Sequence, residues 1–156
     1  MTSEPMITPF ADNRQNNGGL IVREANKSAR ETDPTFGPRF LRFIQALEFE
    51  ACGEVNRMRM VRGDRSLYPP IVPAELRSAS RVRTVTIARK WCCHALYTHR
   101  AMRGRLSFPK IGVIYNRDHS TVRYEIRNIG QLLQSHPGHL WVAGYPNVVA
   151  AAERAL

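Results

Sequence analysis

The residues best equipped for chemistry stand together in Tyr115-Asn116-Arg117-Asp118-His119-Ser120-Thr121-Val122. Asp118 supplies a carboxylate acceptor, His119 an imidazole, and Ser120 and Thr121 hydroxyls that donate and accept. Arg117 precedes them, and Arg123 and Arg127 follow at helical spacing. A polar, base-competent first turn flanked by arginines suits the major groove of DNA. The plainer reading is a capped amphipathic helix with a solvated charged face. A third reading pairs Asp118 with His119 in a metal-dependent nuclease or similar enzyme.

Two helices must position these groups. Asp118 is a good N-cap, and after it Val122, Ile126, Ile129 and Leu133 recur at three- and four-residue steps as a buried stripe. Upstream, Ser107 caps a shorter helix with Pro109 in its first turn, where a missing N–H costs little. Ile111, Ile114 and Tyr115 form its inner face, and Asn116 makes a tight turn into the second helix. Two short helices so joined, the second basic, are a helix-turn-helix.

Charge favours a polyanion partner over a merely solvated surface. The net charge is +10, and residues 81–130 hold eleven Lys or Arg side chains against only Asp118 and Glu125. Nine of the ten excess charges thus fall in one third of the chain, which is the footprint of nucleic-acid binding.

With 156 residues, 43% of them apolar, the chain has room for one cored domain plus a tail. No run approaches the ~18 apolar residues of a membrane span, and no basic region followed by an apolar run marks a signal peptide. Cys52, Cys92 and Cys93 read as reduced, buried cytosolic thiols. Cys92, Cys93, His94 and His99 point several ways around a helix, with no second ligand pair at suitable spacing, which argues against a metal site. No cofactor is expected.

Along the chain, residues 1–38 form a flexible polar arm with turn clusters at Asn16-Asn17-Gly18-Gly19 and Asp33 to Pro38, and short order at Leu20-Ile21-Val22. A helix from Arg39 to Val61 carries Phe40, Phe43, Ile44, Leu47, Ala51, Val55 and Met58 as a core stripe, weakened at Gly53 by up to about 1 kcal/mol. Residues 62–80 are a linker broken by Pro69-Pro70, with a helical turn at Ala74 to Arg77. A second helix spans Thr84 to Met102. After Ser135-His136-Pro137-Gly138 stops the recognition helix, Leu140 to Tyr145 return as a strand or loop, and Asn147 to Arg154 form a short helix.

These motifs carry a resemblance. Ile111-Gly112 followed by Arg117-Asp118-His119-Ser120-Thr121-Val122 resembles the signature of the C-terminal DNA-binding domain of the bacterial replication initiator DnaA. Arg81-Val82-Arg83-Thr84-Val85 resembles the basic loop before that domain's long helix, Arg89-Lys90 the start of that helix, and Ser107 to Gly112 its Ser-Leu-Pro-Glu-Ile-Gly opening. The likeness covers residues 81–133. It departs at Asn116, where the family usually carries Gly-Gly. Other departures are some four extra residues within Thr98–Leu106, Tyr97 at a backbone-contacting lysine, and Lys110 in place of a capping-box glutamate.

The resemblance implies an all-α helix-turn-helix domain of the Trp-repressor/DnaA-C-terminal type over residues 39–136, with a C-terminal extension over 137–156. It implies base contacts from Asp118, His119, Ser120 and Thr121 in the major groove, and from Arg81 in the minor groove. A carboxylate accepting from cytosine N4 and a threonine methyl against thymine fit that role. Backbone contacts are expected from Arg83, Arg89, Phe108, Pro109, Lys110, Arg117, Arg123 and Arg127. No Gly-x-x-x-x-Gly-Lys-[Ser/Thr] loop occurs, so the expectation is a stand-alone relative without the ATPase, of bacterial or phage origin. It is not an enzyme; it binds double-stranded DNA in the nucleoid-associated cytoplasm and acts in replication initiation or transcription, with proteins of those processes as further partners. The alternative is a basic adaptor that binds RNA or another protein through the same face.

Overall fold

The apolar stripes and helix stops of the sequence translate into a helical assembly in which one central helix touches nearly every other element. The computed structural model describes residues 37–61, 63, 69–102 and 106–156. Among them are five α-helices, one 3-10 turn and no strand. The expected arm up to residue 36, residues 62 and 64–68 of the linker, and Arg103 and Arg105 of the basic third lie outside the described residues.

Helix α1 spans Pro38–Val61 and buries Phe40, Phe43, Ile44, Leu47, Ala51 and Val55 along one stripe. It runs unbroken through the exposed Gly53, because the packed stripe on either side outweighs one weak helix former. A 3-10 turn follows at Pro73–Arg77, where the Val72 N–H donates to Glu75 Oε1 at 2.9 Å and Leu76 is fully buried.

Helix α2, Arg83–Thr98, is the central element, packed against α1, the 3-10 turn and the two helices that follow. Trp91, Cys92, Cys93 and Leu96 have no exposed surface. Burying each large apolar side chain of this kind contributes roughly 1.5–3 kcal/mol. The helix ends four residues before the expected Met102. Thr98 Oγ1 turns back to donate to the His94 carbonyl at 2.7 Å, and His99 is already extended. His99 Nδ1 accepts the Ala101 N–H at 3.2 Å, which places the ring proton on Nε2 for donation to Glu153 Oε2 at 2.8 Å. Met102 still reaches the core from the following turn.

Helices α3 (Phe108–Tyr115) and α4 (His119–Ser135) pack on each other and on α2. Helix α5 (Tyr145–Glu153) lies on α1 and adds Tyr145, Val148 and Ala152 to the same core. The Leu140–Tyr145 stretch forms turns, and its anchor is the Trp91 Nε1–H, which donates to the Trp141 carbonyl at 2.7 Å.

The three cysteines are free and buried. Burial and the nearby Glu48 push the Cys52 thiol up to about 12, and burial holds Cys92 and Cys93 well above the usual thiol range. Glu48 itself is buried, yet fully partnered. Arg77 grips it with both terminal nitrogens, at 3.1 and 2.8 Å, and the Tyr115 hydroxyl donates to it at 2.8 Å. One carboxylate thereby ties α1, the 3-10 turn and the end of α3 together. No helix of the described residues is long and apolar enough to cross a membrane.

Candidate nucleic-acid interface

The helix-turn-helix is built by a close approach of backbone that the sequence prepares residue by residue. Ser107 caps α3 by accepting the Lys110 N–H at 3.4 Å, and Pro109 sits in the first turn. At the other end Asn116 adopts the left-handed conformation, φ 55° and ψ 49°, which short polar residues tolerate best after glycine. The Arg117 N–H then returns to the Gly112 carbonyl at 2.7 Å. A Cβ at residue 112 would stand 2.3 Å from the Arg117 carbonyl oxygen, so only glycine admits this turn.

The chain enters α4 through Asp118. Its Oδ2 accepts the Ser120 N–H at 2.9 Å and also the Ser120 hydroxyl, and its Oδ1 lies 3.8 Å from His119 Nδ1. The side chains of Asp118 and His119 are 52% and 64% exposed, and Ser120 and Thr121 are exposed beside them. Behind this turn Val122, Ile126 and Ile129 face the core as the spacing predicts, and Leu133 is partly buried. The same helix also buries Glu125, which the apolar stripe did not announce. Desolvation raises its carboxyl, opposed by Arg89, Lys90 and Arg117, and the Cys93 thiol lies against it at 3.7 Å.

The basic side chains divide into two groups. Arg81, Arg83, Arg123 and Arg127 are exposed, as are Pro109 and Lys110. Phe108 is half-buried and stacks on Tyr97 with ring centroids 4.6 Å apart. Arg89, expected at the DNA backbone, is only 2% exposed and is corrected to an internal role. Its Nε donates to the Leu76 carbonyl at 2.8 Å, and its Nη2 to those of Ser78 and Ser80 at 3.4 and 3.3 Å. These carbonyls leave the 3-10 turn with no helical partner, and a buried guanidinium with several donors satisfies them.

Arg117, also expected at a phosphate, is half-buried and donates to the carbonyls of Asn116 and Ser78 at 3.0 and 2.7 Å. Its first function is to bind the helix-turn-helix to the loop that carries Arg81. Burial lowers the guanidinium pKa of both Arg89 and Arg117 from the ordinary arginine value.

The structure thus brings Asp118, His119, Ser120, Thr121 and the Arg81 loop into one tied unit. It also exposes residues that the motif reading did not assign. Lys90 lies on the Arg83 face of α2, two turns on, and donates to Asn128 Oδ1 at 3.2 Å. Its spacing from Arg83 was the available signal. Trp141 and Tyr124 flank Lys90, and nothing local in the sequence marks that meeting.

A capped helix with an exposed polar first turn, set by a glycine-dependent tight turn against a shorter helix, defines a helix-turn-helix module. Residues 68–129 match the family model for the bacterial DnaA protein helix-turn-helix, 62 of the 156 residues. Over that segment the chain is similar to the DnaA helix-turn-helix, a family whose module binds DNA. No curated protein and no solved structure matches the chain.

Proposed function

We propose that this protein binds double-stranded DNA with sequence specificity, as a binder of DnaA-box-like sites that regulates replication initiation or transcription in association with the nucleoid. The observation that carries the reading is the exposed quartet Asp118, His119, Ser120 and Thr121, held on a helix whose opposite face is core. In this reading these four and Arg81 contact base edges. Arg83, Lys110, Arg123, Arg127 and the Phe108-Pro109 pair meet sugar and phosphate, which fix register without reading sequence. Residues 39–136 form the binding domain, covered by the extension over 137–156, and no residue acts catalytically.

Selection of binding sites from random duplexes, followed by affinity against salt, tests this. The expected result is one enriched motif and, for about five neutralised phosphates, a log–log salt slope of about −4.5. A slope near zero, equal retention of RNA, or metal-dependent cleavage of the selected duplex would each overturn it.

A further inference from the structure

The turn between α4 and α5 brings Trp141 back onto α2, and residue 141 lies beyond the segment that matches the DnaA family. Its backbone is fixed from the core side, by the Trp91 bond to its carbonyl and by the fully buried Val142 next to it. Its ring faces outward, half-exposed, and two cations lie against it. The Arg83 guanidinium is 5.6 Å and the Lys90 ammonium 6.0 Å from the ring centre. Lys90 is also 5.7 Å from the ring of Tyr124, which is 62% exposed. Arg81, Arg83, Lys90 and Trp141 line a cleft of about 200 Å³.

An aromatic face attracts a cation without cancelling its charge. A carboxylate in the place of Trp141 would hold Arg83 and Lys90 equally well and neutralise them. Rings therefore pre-aim two positive charges, and leave them available to an anion at a smaller ordering cost on binding. The Trp141 ring at the cleft already has two cations against it, which disfavours the stacking of an unpaired base and favours phosphate.

We infer that Trp141 is a positioning residue that holds Arg83 and Lys90 for the backbone phosphates of bound duplex DNA, so that the C-terminal turn extends the interface past the helix-turn-helix. The inference rests on the duplex-binding reading above. Trp141→Leu removes the ring and keeps apolar bulk, whereas Trp141→Phe keeps a ring. The Leu variant, with unchanged circular dichroism and melting temperature, should bind the selected duplex 3- to 10-fold more weakly, by about one to two phosphates' worth of salt slope at ~0.9 each. The Phe variant should stay within about 2-fold of wild type. In an Arg83→Ala/Lys90→Ala background, Trp141→Leu should have no further effect.

Wild-type protein that ignores duplex DNA overturns both readings. Wild-type binding with an unaffected Leu variant overturns this one alone. Should the Leu variant lose its fold, an unchanged slope for Arg83→Ala/Lys90→Ala overturns it, and so does a loss confined to single-stranded DNA.

Discussion

Arg117 donates through Nη2 to the carbonyl oxygen of Ser78 at 2.7 Å, and so joins the turn of the helix-turn-helix to the loop before α2. The same oxygen receives Nη2 of the buried Arg89 at 3.4 Å. Two arginines from different elements thus fix the strand of loop that ends at Arg81. Whatever surface Arg81 meets, its distance from the first turn of α4 is set inside the protein.

Arg89→Leu should therefore act on stability rather than on charge. It leaves the carbonyls of Leu76, Ser78 and Ser80 without their donor, at a cost of about 1–3 kcal/mol for a single buried unsatisfied group. Urea unfolding should show a loss of about 3 kcal/mol, and amide exchange should speed up between residues 78 and 82. Arg123→Ala, at an exposed position, should change stability by less than about 0.5 kcal/mol. Equal stability of the two variants would contradict the internal role of Arg89.

The reading turn should separate specificity from affinity. His119→Ala or Thr121→Ala should cost about 1–3 kcal/mol on the preferred duplex and little on random DNA. Arg123→Ala, Arg127→Ala and Lys110→Glu should weaken both by similar factors. Val122→Asp is the unfolding control, since it places an unpaired charge at a site with no exposed surface. If the His119 and Thr121 variants keep fold and site preference, α4 does not read the bases.

The tight turn makes opposite demands on two neighbours. Gly112→Ala forces a methyl group to 2.3 Å from the Arg117 carbonyl oxygen, so the turn must open. A loss of about 2–4 kcal/mol in thermal unfolding, with loss of site-specific binding, is expected by analogy with overpacked cores. Asn116→Gly should be neutral or slightly stabilising, because residue 116 already has φ 55°. Comparable losses from both substitutions would show that the turn does not depend on this approach.

His94 should give the protein an acid-side weakness. Burial lowers its pKa to about 4, and its Nδ1 is hydrogen-bonded to the Tyr145 hydroxyl at 2.6 Å. Above the ordinary histidine pKa of about 6.5 both folded and unfolded states are neutral. As pH falls through 6.5 the unfolded chain takes a proton that the native site refuses, so stability drops until the native site also protonates near pH 4. Allowing for solvent screening, the loss is about 1–2 kcal/mol over that window. Urea melts between pH 7.5 and 4.5 should show it, and His94→Gln should flatten the profile. Parallel profiles would rule His94 out as the cause.

How much was legible in the sequence follows from the range of each interaction. Ser107, Pro109, Asp118 and the Val122 stripe act within one or two turns, and all appear where their spacing puts them. The end of α2 was misplaced because Thr98 and His99 satisfy backbone groups through side chains, which apolar periodicity does not register. Arg89 and Glu125 count among the charges of the basic third, and Glu48 goes unmarked, because their partners lie far along the chain. Arg89 meets carbonyls up to 13 residues away, Glu48 meets Arg77 at 29 and Tyr115 at 67, and Glu125 meets Cys93 at 32. Counting Arg89 in the basic third overcounted the exposed charge of that segment by at least one.

Cys52, Cys92 and Cys93 have a practical use that follows from their depth. A thiol both enclosed and held above its ordinary pKa reacts with alkylating reagents only when the chain opens. Cys52 on α1 and Cys92 on α2 time the parting of those two helices, and Cys93, against Glu125 of α4, times the parting of α2 from α4, all from within the native ensemble. On the duplex-binding reading, a saturating duplex should slow that clock in proportion to its affinity, and the native thiols would report occupancy without any engineered label.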